Sequence, residues 1–261
     1  MVERFDRLWR LIATALSFFA FGVGGLVLWV VVFPVVALAV REPDRRARCA
    51  RGIIHVSFRV FVWMMRGLGV LTYEVHGREK LSREGLLVLA NHPSLIDVVF
   101  LISFLPRADC VVKAALLANP FTRGPVLAAG FVCNNVGPAM VESCIASIRS
   151  GNHLIIFPEG TRSRPGQALK LQRGAANVAV RGGIDVTPVL ISCDPPTLTK
   201  DTPWWKVPAR RPHFRIVVRD DLCTAELVRG VAGEALAARR LTDRLTDYFT
   251  LETRRDHGHH A

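Results

Sequence analysis

The hydrophobic pattern of the chain is dominated at its start by thirty positions, Leu11 to Val40, that carry no charge. At about 1.5 Å per residue a straight helix of that length reaches about 45 Å, beyond the roughly 30 Å hydrocarbon core of a bilayer. Gly22-Val23-Gly24-Gly25 and Pro34 interrupt the stretch, and arginines flank it: Arg4, Arg7 and Arg10 before, then Arg41, Arg45, Arg46, Arg48 and Arg51 after. Basic residues favour the cytoplasmic side of a membrane. The pattern therefore predicts an anchor over residues 1–52, either a helical hairpin that dips into the membrane and returns or a single tilted span. A secretory signal has an apolar region of only about 7–15 residues. The anchor is thus expected to be retained, with the rest of the chain on the cytoplasmic face of a bacterial-type inner or cell membrane.

Beyond the anchor the period of the pattern changes repeatedly. Val56, Val60, Trp63, Met64 and Leu68 recur at helical spacing and predict a core-facing helix over 53–70, with an in-plane membrane helix as the alternative. Strands are predicted at 73–76, 86–90, 154–157, 186–191 and 214–219, with weaker ones at 111–112 and 131–132. Helices are predicted at 142–149, 169–181 and 226–251. This alternation predicts one α/β domain over residues 53–256, a single mixed sheet flanked by helices, followed by a His-rich disordered tail at 257–261.

Composition narrows the chemistry. Half of the residues are apolar and 21% are charged, which excludes a disordered or low-complexity chain. Lys+Arg 34 against Asp+Glu 22 gives a net charge of +12, so the surface seeks an anionic partner. The six cysteines are scattered, with no C-x-x-C pair and no His at finger spacing, so a metal site is not expected and the thiols read as reduced. Trp204-Trp205 suits a membrane interface. The acid-free basic stretch after it, with Lys206, Arg210, Arg211, Arg215 and Arg219, suits an anionic membrane face, coenzyme phosphates or an acidic carrier protein.

Two constellations carry the chemistry. Asn91-His92-Pro93-Ser94-Leu95-Ile96-Asp97 directly follows a predicted buried strand. Pro93 can open a helix there, which would put Asp97 one turn in, able to reach back to His92. A carboxylate on one imidazole nitrogen fixes the tautomer and leaves the other nitrogen as a base. Ser94 lacks a nucleophile elbow and reads as a capping or packing residue. Phe157-Pro158-Glu159-Gly160-Thr161-Arg162-Ser163 follows a second buried strand and combines a carboxylate, a tight turn, two hydroxyls and a guanidinium suited to phosphate.

Taken in order, with His92 and Glu159 67 positions apart, these motifs resemble the glycerolipid acyltransferase family typified by 1-acylglycerol-3-phosphate acyltransferase. The likeness runs from about Tyr73 to Ile191 and includes Lys113, the Lys170…Gly174-Ala175 segment and Val186-Thr-Pro-Val-Leu-Ile191. It implies that His92 is the base, that Asp97 orients it, and that Glu159, Gly160, Thr161 and Arg162 bind the acceptor, with Asn91, Ser94, Lys113 and Ser163 as further substrate-binding positions. It also implies transfer of a fatty acyl group from a thioester, on coenzyme A or acyl carrier protein, to a lyso-lipid hydroxyl, with no bound cofactor. Backbone N–H groups near Gly160 are the expected oxyanion donors.

The second motif of that family usually ends in an arginine that grips phosphate, whereas Gly130-Phe131-Val132-Cys133-Asn134-Asn135 has none. A lyso-lipid with a different head group, an amino-acid lipid or a glycolipid, is therefore the alternative acceptor, unless Arg162 or Lys113 compensates. A thioesterase and a non-catalytic protein that binds anionic lipid are the rivals from other classes. Nucleic acid is not an expected partner.

Overall fold

The computed structural model describes residues 2–134, 137–164 and 167–258. Its first helix, α1 (Val2–Val27), passes through a π-helical turn at Leu28–Val32 into α2 (Phe33–Ala39) without leaving the helical path. The wider π turn lies just ahead of Pro34, whose ring and missing N–H would disturb regular α-helical bonding. The chain reverses only at residues 40–42 and returns as α3 (Pro43–Gly67). Neither interruption read from the sequence ends the helix. The glycines instead make room: a Cβ at Gly25 would collide with the Phe121 backbone, and one at Gly124 with the Trp29 side chain.

One continuous helix, Arg4–Ala39, is long and apolar enough to cross a membrane. In its first half the buried positions are Arg10, Ala13, Thr14 and Ser17, while Phe5, Leu8, Ile12, Leu16 and Phe19 are exposed. Helix α3 also departs from expectation. Its core face is Ala50, Ile54, Phe61, Val62 and Met65, whereas Val56, Val60 and Trp63 of the stripe read as core-facing point outward. The apolar residues on the two sides of α3 were hard to rank by period alone, and packing against the sheet chose the other side. The boundary placed at 52/53 falls inside this helix.

The sheet is built from β1 (Thr72–His76), β2 (Leu87–Ala90), β3 (Ala108–Val112), β4 (Val132–Cys133), β5 (His153–Ile156), β6 (Val186–Asp194) and β7 (His213–Val218). Their order is β1-β7-β6-β2-β5-β3-β4, and every neighbouring pair is parallel except β6 and β7. A short 3₁₀ turn, Arg78–Ser82, precedes β2. Helices α4 (Asp97–Phe104), α5 (Ala115–Ala118) and α6 (Pro120–Ala129) follow β2 and β3. After them come α7 (Pro138–Arg149), α8 (Arg173–Gly182), α9 (Thr224–Leu227) and α10 (Glu234–Gly258). Residues 259–261 of the expected tail lie outside the described residues.

Both faces of the sheet are covered, which is why its central strands read as unbroken apolar runs. Along β2, Val88 and Ala90 join one core with Ile54 and Met65 of α3 and Phe100 of α4. Leu87 and Leu89 join the other with Ile145 of α7, Val178 of α8 and Leu241, Leu245 and Phe249 of α10. The early part of β3 is hidden in the sequence because Asp109 interrupts it. That carboxylate is buried and paired with Arg51 of α3 at 3.1 Å, while Arg51 also donates to the Ala129 carbonyl. Arg51, read as a charge flanking the membrane, is therefore an internal fastening of α3 to the sheet.

Candidate active site

Strands β2 and β5 are parallel neighbours in the register Leu89↔Ile156. The segments leaving their carboxyl ends therefore emerge side by side, and His92 and Glu159 each lie three positions beyond that pair. Open α/β sheets place their sites at such ends. The His92 N–H donates to Glu159 Oε1 at 3.0 Å, the Ser163 hydroxyl donates to the same oxygen at 2.8 Å, and the Ser163 N–H donates to the His92 carbonyl at 2.7 Å. Glu159 and Ser163 thus splice the two motifs into one structure. Gly160 closes the turn at φ +67°, a backbone conformation that a Cβ disfavours. Burial raises the Glu159 carboxyl above its usual range, against the opposing effect of the His92 N–H and Ser163 hydroxyl.

His92 Nδ1 lies 2.8 Å from Asp97 Oδ2, and the same oxygen accepts the Ser94 N–H at 2.7 Å. The Phe157 ring stacks on the imidazole, with centroids 4.1 Å apart. Asp97 is fully buried, and burial raises its carboxyl despite the hydrogen bonds from His92 and Ser94. Helix α4 begins at Asp97 itself, so Pro93 does not open it. The reason is local: Asp97 accepts bonds from the residues preceding the helix, which holds 91–96 as a loop around the imidazole. Ser94 is buried, consistent with packing, and its hydroxyl and Asp97 Oδ1 have no hydrogen-bond partner among the described residues.

Asn91 joins two strands. Its amide donates to the Ile191 carbonyl at 2.8 Å and accepts the Ile191 N–H at 2.7 Å, which extends the β2–β6 ladder by one side-chain rung. The Gly160 N–H is likewise engaged, donating to the Phe157 carbonyl at 2.9 Å. The N–H groups of Thr161 and Arg162 have no acceptor among the described residues, which leaves these two neighbours of Gly160 as candidate oxyanion donors.

His92 opens onto a cavity of about 510 Å³ that is also lined by Lys113, Asn134, Thr161, Arg162 and Lys200. Among the described residues its lining carries three cations, Lys113, Arg162 and Lys200, and no carboxylate. Arg162 Nη1 donates to the Leu198 and Thr199 carbonyls at 2.8 Å each. Lys200 was missed by sequence reasoning: it lies in the 195–212 loop between β6 and β7, outside both motifs, and no local signal marks it. Asn135, the other half of the altered second motif, lies outside the described residues. Leu95, Val98, Cys110, Val112 and Leu116 line both this cavity and a second one of about 500 Å³. The second cavity runs between α1, α3, α4 and α6, and Phe18, Phe21, Gly24, Phe58 and Val126 are among its apolar walls.

The mixed α/β sheet thus carries a His–Asp pair and a Glu-Gly-Thr-Arg turn on adjacent strand ends, opening to a cationic and then an apolar cavity. Residues 72–192 match the Acyltransferase family model. The chain is 30% identical over 145 residues to the 1-acyl-sn-glycerol-3-phosphate acyltransferase of Pseudomonas aeruginosa, covering 53% of this chain and 56% of that protein. It is 27% identical over 157 residues to the enzyme of the same name from Cocos nucifera, covering 58% and 49%. The chain thus matches about half the length of these curated relatives. The crystal structure of the 1-acyl-sn-glycerophosphate acyltransferase PlsC from Thermotoga maritima shares the fold, with a TM-score of 0.64 over 93% of this chain and 97% of that one at 20% identity.

Proposed function

We propose that the protein transfers a fatty acyl group from a thioester, carried by coenzyme A or acyl carrier protein, to the free hydroxyl of 1-acylglycerol-3-phosphate at a membrane surface. The observation that carries this reading is the His92–Asp97 pair at 2.8 Å beside a cavity whose charged lining is otherwise cationic and which continues into an apolar one. The acceptor hydroxyl gives its proton to His92 Nε2 as its oxygen attacks the thioester carbonyl carbon. Asp97 stabilises the imidazolium. The Thr161 and Arg162 N–H groups are suited to the oxyanion of the tetrahedral intermediate. Its collapse breaks the carbon–sulfur bond and releases the thiolate, which takes up a proton from the imidazolium or from water.

The cationic lining bears on the acceptor. Lys113, Arg162 and Lys200 offer three charges where the altered second motif offers amides, which favours a phosphate head group over the amino-acid lipid or glycolipid alternative. The names of the relatives point the same way. The test is to supply the protein in vesicles with labelled acyl-coenzyme A or acyl carrier protein and lysophosphatidate, beside His92→Ala. Phosphatidate formed only by the parent protein is the expected result. Thioester consumption that needs no acceptor would instead mark a hydrolase, and lipid binding without turnover would mark a non-catalytic protein.

A further inference from the structure

Arg10 is a guanidinium at the base of the apolar helix, yet it is only 1% exposed. Two of its nitrogens are committed to the 195–212 loop and the third to its own helix. Nη1 donates to the Pro208 carbonyl at 2.9 Å, Nη2 to the Ala209 carbonyl at 2.6 Å and Nε to Asp6 Oδ2 at 3.0 Å. One turn earlier, Arg7 Nε donates to the Val207 carbonyl at 3.2 Å, and further along α1 Phe18 packs against Trp204 with ring centroids 5.9 Å apart. Helix α1 therefore holds residues 204–209 through charged donors on backbone carbonyls, bonds stronger than neutral ones.

The other end of the same loop reaches the catalytic residues. The Leu198 carbonyl accepts both the Leu95 N–H at 3.1 Å, inside the His92–Asp97 motif, and Arg162 Nη1 at 2.8 Å. The Thr199 carbonyl takes a second bond from Arg162 Nη1, and Lys200 follows on the cavity wall. We infer that Arg10 is a positioning residue: by suspending the 195–212 loop from the membrane helix, it sets the places of Arg162 and Lys200 and so couples the seating of α1 to acceptor binding. This deepens the proposed function, and it rests on that reading only for the identity of the acceptor.

The test compares hydrogen exchange in the full-length protein with Arg10→Met, Arg10→Lys and Arg7→Ala, followed by steady-state kinetics with lysophosphatidate. Arg10→Met is expected to speed exchange in 204–212 and in the peptide containing Leu95, while β2, β5 and α10 keep their protection. The acceptor KM should rise roughly tenfold, the order expected when a charge-assisted hydrogen bond is weakened, with kcat and the donor KM little changed. Arg10→Lys should recover part of the loss, and Arg10→Met should raise the KM no further in an Arg162→Ala background. Unchanged exchange at Leu95, or a uniform gain of exchange with a fall in kcat, overturns the inference. If Arg10→Met does not fold, Arg10→Lys and the exposed Arg7→Ala carry the same comparison. A protein that does not acylate lysophosphatidate would sink the acceptor reading, and exchange at Leu95 would still decide the suspension.

Discussion

At the scale of single residues, His92 and Asp97 do what their spacing implies, but the loop between them is set by hydrogen bonds rather than by an early helix start. Replacing the base tests its role directly: His92→Ala should lower kcat by about 10²–10⁴, the usual range for a general base, in a protein shown to be folded. Asp97 makes a second prediction. Burial raises its carboxyl, so its ionised form weakens the fold. That penalty is absent below the ordinary carboxylate pKa and grows as the pH rises from there to the raised value. Asp97→Asn should therefore melt no lower than the parent at pH 7, with its relative advantage shrinking as the solution is acidified through the carboxylate range, while acyl transfer falls. A variant whose Tm deficit at pH 7 disappears in acid would contradict this. The roles of Asn91 and Ser163 were not readable from residue type: both motif amide and motif hydroxyl turn out to be occupied in joining strands and loops.

Among elements, the strands were largely legible because two-sided burial leaves runs of apolar residues bounded by turns. Helices α5 and α6 were not read, since Pro120, Gly124 and Pro125 look like breakers until α1 is packed against them. The same packing forms the apolar cavity and permits a test of its use. Gly24 lines that cavity, and a Cβ added there would meet nothing within 4 Å. Gly24→Leu should therefore fold normally, fill part of the space and shift the acyl preference toward shorter chains, measured as relative kcat/KM across a series of chain lengths. Equal loss at every length would mean that the cavity holds no acyl chain.

For the whole molecule, the net charge of +12 overstates how much free cation the surface presents. Tertiary structure brings Asp194 to Arg210, Glu74 to Arg215 and Glu252 to Arg219 within the basic stretch that looked unpaired in sequence. Arg10 and Arg51 are internal as well. Alongside the exposed arginines, α1 and α3 turn many apolar side chains outward, including Phe5, Ile12, Leu16, Phe19, Val60 and Trp63. Membrane retention should therefore survive a wash in salt of about 1 M, which reduces the screening length to about 3 Å. Release of the full-length protein into the supernatant under that wash would show that charge, rather than the apolar face, holds it.

Local information was sufficient wherever neighbouring residues supply the physics: the long apolar helix, the buried strands, the His–Asp spacing and the Glu-Gly-Thr-Arg turn all follow from adjacency and period. Tertiary structure alone decided which side of α3 faces the core, that glycines and Pro34 are accommodated within one helical path, and that Lys200 joins Lys113 and Arg162 around one cavity. Those outcomes depend on groups far apart in sequence, and only the parallel pairing of β2 with β5 and the packing of α1 on the 195–212 loop bring them within bonding distance.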